Sequence, residues 1–361
     1  MKKMTYKNLK IVHCAIFSEL KFGETFYDMD RKISHGLILN GHFVYNFSYR
    51  DNEKVNRTFG IKKSGINKMN NNLIEICKNV NPDILLLGKA ETISISTLEK
   101  IKKICPNIKI VQWFVDFLAT ENEDFFNRFS HIDAFFQTTA TDLKELSLKY
   151  KNTIFSYFPN ISDPAFEKNL NLKKEYDLIY IARDYKEDVR TKFAELLNSF
   201  CQKENLNLKM FGSLNNPPIF GFEYQKEINK AKIAINFNRE DKLETYNREK
   251  ILGSSDRMNH FLGSGVCTFS PKIVGMDILY EDAKEVVYFE NVNDCFNKIK
   301  YYLENENYKD IGILGQNKAF TISSSKRVSK FILDIAYFNE KTEKYEWEDY
   351  IYNFYGTTNG I

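Results

Sequence analysis

The chain has 361 residues, and its 51 lysines and arginines against 48 aspartates and glutamates give a formal net charge of +3. This length is too great for one ordinary core, and a hydrophobic content of 43% with 27% charged residues is typical of a globular protein, so we expect two domains. The small net charge neither requires nor excludes nucleic acid or an anionic membrane surface as a partner.

The six cysteines are scattered and form no CxxC pair, which in a chain of this size is typical of reduced, buried side chains in the cytoplasm. The basic N-terminus is followed by "IVHCAIF", which is too short for a signal-peptide core and reads better as a first strand. No apolar run is long enough to span a bilayer, although peripheral contact with a membrane is compatible with the sequence. We therefore predict a cytoplasmic protein without a transmembrane segment.

The first half of the chain alternates short apolar runs with helical patterns. The predicted strands are 9–17, 43–48, 82–88, 108–116 and 131–139, and the predicted helices lie within 22–42, 66–81, 94–105 and 141–150. Repeated strand–helix units of this kind predict a parallel sheet that is covered by helices on both faces.

The alternation stops at 153–169, which contains two prolines, and then restarts, so we interpret this segment as a link between domains. The later predicted strands are 176–183, 206–212, 232–239, 266–270 and 285–290, the predicted helices are 188–205, 222–231, 256–262, 292–308 and 308–320, and a helical, aromatic tail covers 326–361. We therefore predict an α/β protein with two Rossmann-like parallel-sheet domains and a cleft between them. The predicted domains are 1–160 and 161–330, with a C-terminal helical segment, 331–361, that packs back on the first domain.

The stretch "GSSDRMNHFLGSG", residues 253–265, predicts a helix whose N-terminus suits an anion. Ser254, Ser255 and Asp256 are all good N-cap residues, and two glycines end the stretch. Free backbone N–H groups and the positive end of the helix dipole favour negative charge at such a start. Arg257 adds a permanent charge whose forked donors match a phosphate.

Three other strand ends in the second half carry residues that suit a phosphate. Arg183 and Lys186 follow its first strand. Gly212 permits a close backbone approach after the second strand, and Asn238 follows the third. Ligands of parallel sheets bind beyond the carboxyl ends of the strands, so we expect these residues on one rim with Arg257. Taken singly, each signal is weak, and the cations after the first strand have a solvated helix start as the alternative.

Patterns for metal or nucleophilic catalysis are weak. "DMD" at Asp28–Asp30 matches the DxD of metal-dependent sugar transferases, but side chains two apart in a helix point about 200° away from each other. We therefore interpret the two aspartates as a solvated helix face and predict no metal site. No HExxH, GxSxG, GxGxxG or Walker motif occurs.

The order of motifs in the second half resembles a known family. The strand "AKIAINFNR" is followed by Arg257-x-x-His260-x-x-Gly-x-Gly265, then by Gly275 and the strand "EVVYF". Over about 175–325 this order resembles the C-terminal half of GT-B glycosyltransferases, most closely the spore-maturation-type (CgeB-like) group. The first half is similar only in pattern, including the opening "GxxF…L…NGHFV" of acceptor-side domains.

The resemblance implies a GT-B fold with a C-terminal crossover helix, and a nucleotide sugar as donor substrate without a further cofactor. It implies that the donor phosphates lie against Arg183, Arg257 and the backbone near Gly275 and Met276. The glutamate that holds the nucleotide ribose in the family falls at His260.

Asn259, which precedes His260, stands where the family has Phe. The side chain of Asn259 or of His260 can hydrogen-bond a hydroxyl. On the first domain, "FGETF" with Gly23 and Glu24 is either a tight turn or an acceptor-side loop.

An inverting sugar transfer needs a base for the acceptor hydroxyl. Asp116 closes the apolar run "IVQWFVD" at a strand end, and we select it as the candidate base, with a capping role as the alternative. His13 and Glu19 are weaker candidates.

The sequence thus favours a metal-independent glycosyltransferase whose acceptor is a surface glycan, a lipid-linked saccharide, a protein or a modified DNA base. The alternatives are a non-catalytic nucleotide-sugar or polyanion-binding protein of the same fold, and an epimerase or phosphorylase of the same architecture. Nucleic acid is compatible with the sequence but not indicated by it.

Overall fold

The computed structural model describes residues 7–184, 188–353 and 356–357. The chain divides into two compact units. The first unit combines Met1–Phe158 with Ser325–Ile361, and the second unit is Pro159–Ser324.

The strands form from short apolar runs, because a parallel strand that is covered on both faces buries nearly all of its side chains. In chain order they are β1 (Lys10–Ala15), β2 (Phe43–Ser48), β3 (Ile84–Gly88), β4 (Lys109–Phe114), β5 (Ala134–Gln137), β6 (Ile154–Tyr157), β7 (Tyr176–Ile181), β8 (Leu208–Phe211), β9 (Ala231–Ile235), β10 (Cys267–Pro271), β11 (Val287–Phe289), β12 (Ile351–Asn353) and β13 (Gly356–Thr357).

The helices follow the strands and bury one apolar face each. In chain order they are α1 (Met29–Leu39), α2 (Tyr49–Val55), α3 (Lys62–Val80), α4 (Ile95–Ile104), α5 (Glu123–Asn127), α6 (Leu143–Lys149), α7 (Val189–Lys203), α8 (Gly221–Asn229), α9 (Asp256–Gly263), α10 (Val292–Glu304), α11 (Tyr308–Ile322) and α12 (Ser325–Leu333). Side-chain caps fix several starts: Ser94, Asp188 and Asn291 accept backbone N–H bonds at the first turns of α4, α7 and α10.

The sheet of the first unit has the order β13-β12-β6-β5-β4-β3-β1-β2. The six strands β1 to β6 all pair in parallel. Strand β12 pairs with β6 in the antiparallel direction at the other edge. Aromatic side chains fill the core beside β4 to β6, where the rings of Phe129 and Phe135 lie 4.6 Å apart. The order reverses between β1 and β3, which creates a crevice at their carboxyl ends.

The sheet of the second unit has the order β11-β10-β9-β7-β8, and all its pairs are parallel. Its core includes a stacked pair of rings, Phe193 from α7 and Phe237 just beyond β9, with centroids 4.1 Å apart. The order of this sheet reverses between β7 and β9, so its crevice lies beyond those two strands.

Three segments differ from the sequence-based expectation. The link predicted at 153–169 contains β6, because its prolines come only after the strand has ended. Helix α2 was not predicted; its seven polar-rich residues directly follow β2. The tail is helical in α12 and in a π-helical turn, Asp334–Phe338, but its end pairs as β12 with β6, because that edge offers unpaired backbone groups.

Candidate functional site

The crevice of the second unit is built around Arg257, which lies in the first turn of α9. Its Nη2 donates to Asn236 Oδ1 at 2.9 Å, to the carbonyl oxygen of Phe237 at 2.8 Å and to Asn238 Oδ1 at 3.3 Å. These acceptors form the segment that follows β9. The contacts fix one edge of the guanidinium group and hold it at the point where the strand order reverses.

Among the described residues, three groups of this crevice that can donate a hydrogen bond have no partner. They are Arg257 Nε, Asn238 Nδ2 and the hydroxyl of Tyr180, which is the next-to-last residue of β7. Burial raises the pKa of Tyr180 well above its usual range, against the opposing effect of Arg257, so the hydroxyl stays protonated and can donate. Buried polar groups normally have hydrogen-bond partners, so each of these groups is able to bond a ligand or a water that enters the crevice.

The N-terminus of α9 lacks a side-chain cap. Ser255 occupies the N-cap position, but its hydroxyl donates to Asn236 Oδ1 at 2.7 Å and not to the helix. Ser254 uses its carbonyl oxygen to accept from Asn160 Nδ2 at 2.9 Å, and Asp256 Oδ1 accepts from the N–H of Arg257 at 2.8 Å. The N–H of Met258 also has an acceptor, the carbonyl oxygen of Ser255 at 3.1 Å, whereas within the described chain the N–H groups of Ser255 and Asp256 have none and can serve an anion.

The other predicted rim residues lie beyond the neighbouring strands. Arg183 is exposed after β7, with its guanidinium 5.6 Å from the ring centre of Phe220. Gly212 follows β8 with φ of 77°, and a Cβ there would lie 2.5 Å from the carbonyl oxygen of Ala182, so only glycine fits. Lys186 lies outside the described residues.

Gly275 follows β10 with φ of 82° and precedes a short 3-10 helix that begins at Met276. Met276 is buried, so only its backbone could face a ligand. The segment is tied to the chain before α9, because the N–H of Leu252 donates to the carbonyl oxygen of Val274 at 2.9 Å.

Asn259 and His260 point into the interior of the second unit. Asn259 Nδ2 donates to the carbonyl oxygen of Asn160 at 2.7 Å, and His260 Nδ1 lies 2.8 Å from the buried Glu167 carboxylate. The structure therefore separates these two side chains from Arg257 and gives them a role in holding the 159–167 segment against α9. The assignment of these two residues to the nucleotide came from the family resemblance, and their partners, 99 and 93 residues away in sequence, could not be recognised from local spacing.

A cavity of about 380 Å³ opens beside the carboxyl ends of β10 and β11. Its charged side chains already pair with one another, Lys272 with Glu290 at 2.9 Å and Lys298 with Asp294 at 2.9 Å. With Asp282 also in the lining, carboxylates outnumber cations there, which makes the cavity a poor site for a polyphosphate.

In the first unit, Asp116 lies two residues beyond β4 and is half-exposed. Its Oδ2 is 2.6 Å from the ammonium group of Lys89, which follows β3. The carbonyl oxygen of Asp116 accepts from Gln137 Nε2 at 3.0 Å, so neighbouring strands fix its backbone. A paired carboxylate at this edge can accept a proton from a hydroxyl that approaches it.

The interpretation of Asp30 as part of a solvated helix face is wrong. Helix α1 begins at Met29, so Asp28 precedes it and Asp30 turns inward, where its Oδ1 accepts from the N–H of Ile16 at 2.7 Å. Burial raises the pKa of Asp30 to about 7. The sequence carried no signal for the burial of Asp30, because that burial depends on where α1 starts relative to the end of β1.

The weaker base candidates differ in their surroundings. His13 is completely buried, with Nδ1 2.7 Å from Ser34 Oγ and with Nε2 accepting from Trp113 Nε1 at 3.0 Å. Burial lowers its pKa to about 3, so it is a neutral core residue. Glu19 is exposed and pairs with Arg31 at 3.1 Å.

The loop that follows β1 contains two other predicted residues. Gly23 has φ of 91°, and Glu24 is exposed in the next turn. Both lie beyond the carboxyl end of β1, beside the point where the strand order of the first sheet reverses.

Within the described ranges, no group of three or more His, Cys, Asp or Glu side chains is arranged to hold a metal ion. No helix in the same part of the chain is both long and apolar enough to cross a membrane. All six cysteines are buried and free.

Comparison with known proteins gives a family match for part of the chain. Residues 190–323 match the model of a family described as "Glycosyl transferase-like". This range includes β8 to β11, α9 and the Arg257 crevice except the end of β7 and the residues that follow it, Arg183 and Asp184. No curated protein sequence is significantly similar to the chain.

Solved structures resemble the chain over nearly its whole length. A glycosyltransferase from Rickettsia africae ESF-5 has 12% identity and a TM-score of 0.59, with 94% of this chain and 100% of that chain covered. Anabaena Alr3699/HepE, solved with UDP and glucose, has 10% identity and a TM-score of 0.55, with 91% and 99% covered. A putative UDP-N-acetylglucosamine 2-epimerase from Listeria monocytogenes has 12% identity and a TM-score of 0.55, with 93% and 98% covered.

These likenesses agree with the two parallel sheets and confirm the expected fold class. At such low identity they concern the fold alone, and an epimerase shares it with transferases. The chain has the GT-B fold, built from two Rossmann-like α/β units.

Proposed function

We propose that this protein is a glycosyltransferase that moves a sugar from a nucleotide-sugar donor to a hydroxyl acceptor. The observation that carries the proposal is the set of unpartnered groups at Tyr180, Asn238 and Arg257, at the strand-order reversal of the second unit. The family match, which covers most of this crevice, supports sugar transfer as its purpose.

The donor diphosphate is proposed to bind at the start of α9. Arg257 supplies charge and a donor, and the uncapped helix start supplies backbone N–H groups. Gly212 and Gly275 allow the backbone to approach the ligand, and Arg183 is available at the rim. As the bond between sugar and phosphate breaks, negative charge develops on the nucleoside diphosphate, and fixed positive groups stabilise it without reorganisation.

The crevice also offers a hydrogen-bond acceptor. Asp184 receives the N–H of Leu214 on Oδ2 at 2.6 Å, while its buried Oδ1 has no partner. This oxygen suits a hydroxyl of the sugar or ribose, or a ring N–H of the base. Uridine diphosphate is the first nucleotide to test, because Anabaena Alr3699/HepE, which has this fold, was solved with UDP.

The acceptor hydroxyl is proposed to be activated at the carboxyl edge of the first sheet. Asp116 is the proposed base if the enzyme inverts, and Asp30 is a second candidate because its pKa of about 7 matches proton transfer near neutral pH. Leaving-group stabilisation by Arg257 and α9 needs no metal, so we propose metal-independent transfer. Membership of the spore-maturation-type group is part of the same proposal.

The proposal is tested by incubating the protein with single nucleotide sugars and measuring released nucleoside diphosphate, with and without a panel of glycan, lipid-linked and protein acceptors. A transferase releases nucleotide, faster with its acceptor, and Arg257→Ala lowers the rate. A binding protein releases none. Conversion of the sugar without an acceptor would indicate an epimerase, and dependence on inorganic phosphate would indicate a phosphorylase.

Lys226→Ala is the matched control. Lys226 is a cation of the same unit, but it lies near the C-terminal end of α8, which leads into the start of β9 and hence to the opposite edge of the sheet. Its ion pair with Glu223 is exposed and contributes little to stability.

A further inference from the structure

Two turns of the first unit share an unusual conformation. Phe22–Gly23 has φ of 51° and 91°, and Phe59–Gly60 has φ of 51° and 75°. Phe22 is 95% exposed and Phe59 is 96% exposed. A positive φ is unfavourable for a bulky side chain, and an aromatic ring in water gains nothing from the fold. The stability of the unit therefore does not explain either phenylalanine.

The Phe59 turn is held firmly. The N–H of Ile61 donates to the carbonyl oxygen of Thr58 at 3.0 Å, which closes a tight turn with Phe59 and Gly60 at its tip. Ser64 Oγ accepts from the N–H of Thr58 and donates to the carbonyl oxygen of Ile61, both at 2.8 Å. The first turn of α3 thus braces the loop and fixes the ring toward solvent.

More apolar surface and a block of positive charge surround this ring. Val55 and Ile61 are exposed beside it. Residues 54–74 contain five cations and no acidic residue, and the cations are Lys54, Arg57, Lys62, Lys63 and Lys68. Arg57 pairs with Glu53, whereas within the described chain neither Lys62 nor Lys63 pairs with an acidic group.

The two turns leave the same edge of the first sheet. The Phe22 turn follows β1, and the Phe59 turn follows β2 and α2, which are neighbours because β1 and β2 pair in parallel. The N–H of Glu19 donates to Asp51 Oδ2 at 2.6 Å and so links the segment after β1 to α2. The rings of both turns are therefore exposed on this side of the unit, with the cations clustered at the Phe59 turn, whereas the exposed Glu19 and Glu24 flank Phe22.

We propose that the Phe22 and Phe59 turns dock the first unit on an anionic lipid surface, with the two rings inserted among the headgroups and the lysines against lipid phosphates. Interfacial binding requires this combination of apolar insertion and attraction between opposite charges. A second copy of the chain would set like charges against each other, and aliphatic Val55 and Ile61 have no partner on a nucleic acid backbone. Among the candidate acceptors, docking on a lipid surface favours a lipid-linked saccharide, a consequence that rests on the proposed function.

The test is co-sedimentation of the full chain with vesicles, without any nucleotide, so that its outcome does not depend on donor binding. We expect binding to vesicles that mix phosphatidylcholine and phosphatidylglycerol, weakened by salt, and little binding to phosphatidylcholine alone. Phe59→Ser and Phe22→Ser should each lower the partition coefficient roughly tenfold or more. Lys62→Ala with Lys63→Ala should lower it about 30-fold.

Matched controls separate docking from general surface effects. Phe222→Ser removes an exposed phenylalanine of the second unit, and Lys100→Ala with Lys103→Ala removes two exposed cations from α4. Both should bind vesicles like the unmodified protein. In Phe59→Trp, the indole emission should shift to the blue on anionic vesicles, a change that the buried Trp113 and Trp347 do not produce.

Several results would overturn the proposal. Equal binding to both kinds of vesicle, or unchanged binding by the phenylalanine variants with native circular dichroism, would remove the two turns from any lipid contact. Binding to single-stranded oligonucleotides in place of vesicles would assign the patch to nucleic acid. Dimers that Phe59→Ser dissociates, seen by light scattering, would assign it to a second copy of the chain.

Discussion

Replacing Arg257 by alanine removes the guanidinium group from the crevice of the second unit and is the most selective test of that site. One guanidinium nitrogen makes three hydrogen bonds to the segment after β9, at 2.9, 2.8 and 3.3 Å, and Nε is left without a partner in the crevice. A charge-assisted hydrogen bond to a diphosphate contributes about 1.5–3 kcal/mol, which corresponds to a 10- to 150-fold increase in the dissociation constant on its loss. Arg257→Lys keeps the positive charge but not the forked donors of the guanidinium group, so the loss of diphosphate affinity in this variant should be intermediate.

Calorimetric titration with the nucleoside diphosphate that binds the unmodified protein measures this loss. The variant also loses its bonds to Asn236 and Asn238, so its unfolding must be followed by circular dichroism to establish that it is folded at the titration temperature. Lys226→Ala should titrate like the unmodified protein. A folded Arg257→Ala protein whose dissociation constant stays within about threefold of the original would refute the assignment of the diphosphate to this residue.

Four further outcomes are expected. Asp116→Asn should lower the transfer rate by about 10²- to 10⁴-fold with nearly unchanged donor affinity. An unchanged transfer rate would show that Asp116 is not the base and that its role is the ion pair with Lys89. Gly212→Ala should weaken donor binding and lower the melting temperature, because its Cβ would meet the Ala182 carbonyl at 2.5 Å; an unchanged melting temperature would contradict this geometry. Excess EDTA should leave turnover intact, whereas loss with recovery on adding Mg²⁺ or Mn²⁺ would show a metal requirement.

The fourth concerns Asp30, whose pKa burial raises to about 7. Since the folded state then binds this proton more tightly than the unfolded state, the free energy of unfolding should fall as pH rises from about 4 to 7, by as much as about 4 kcal/mol. In urea titrations, the free energy of unfolding of Asp30→Asn should depend less on pH over this range. The same pH dependence in both proteins would contradict the raised pKa of Asp30.

The sequence was sufficient for most of the fold because its strands are short apolar runs between helical patterns. It also located Asn238 and Arg257, since residues at the carboxyl ends of parallel strands must lie at one edge of the sheet. Their hydrogen bonds agree with that expectation, while binding of a donor by either residue stays a prediction.

Sequence patterns failed where a residue's role depends on a distant partner or on an exact helix start. His260 faces Glu167 and Asn259 faces Asn160, contacts that no local spacing encodes. Asp30 became a buried carboxyl because α1 starts only one residue before it. The Phe59 turn was overlooked because a Phe-Gly pair is a weak turn signal, and only the backbone angles reveal the exposed ring.

The most direct test of the account is a crystal structure of the protein with the nucleoside diphosphate that stabilises it most in a thermal-shift screen. We expect phosphate oxygens about 2.7–2.9 Å from the guanidinium group of Arg257, with further bonds to backbone N–H groups at the start of α9. A diphosphate bound in the cavity beside β10 and β11, or at the opposite edge of the sheet, would contradict it.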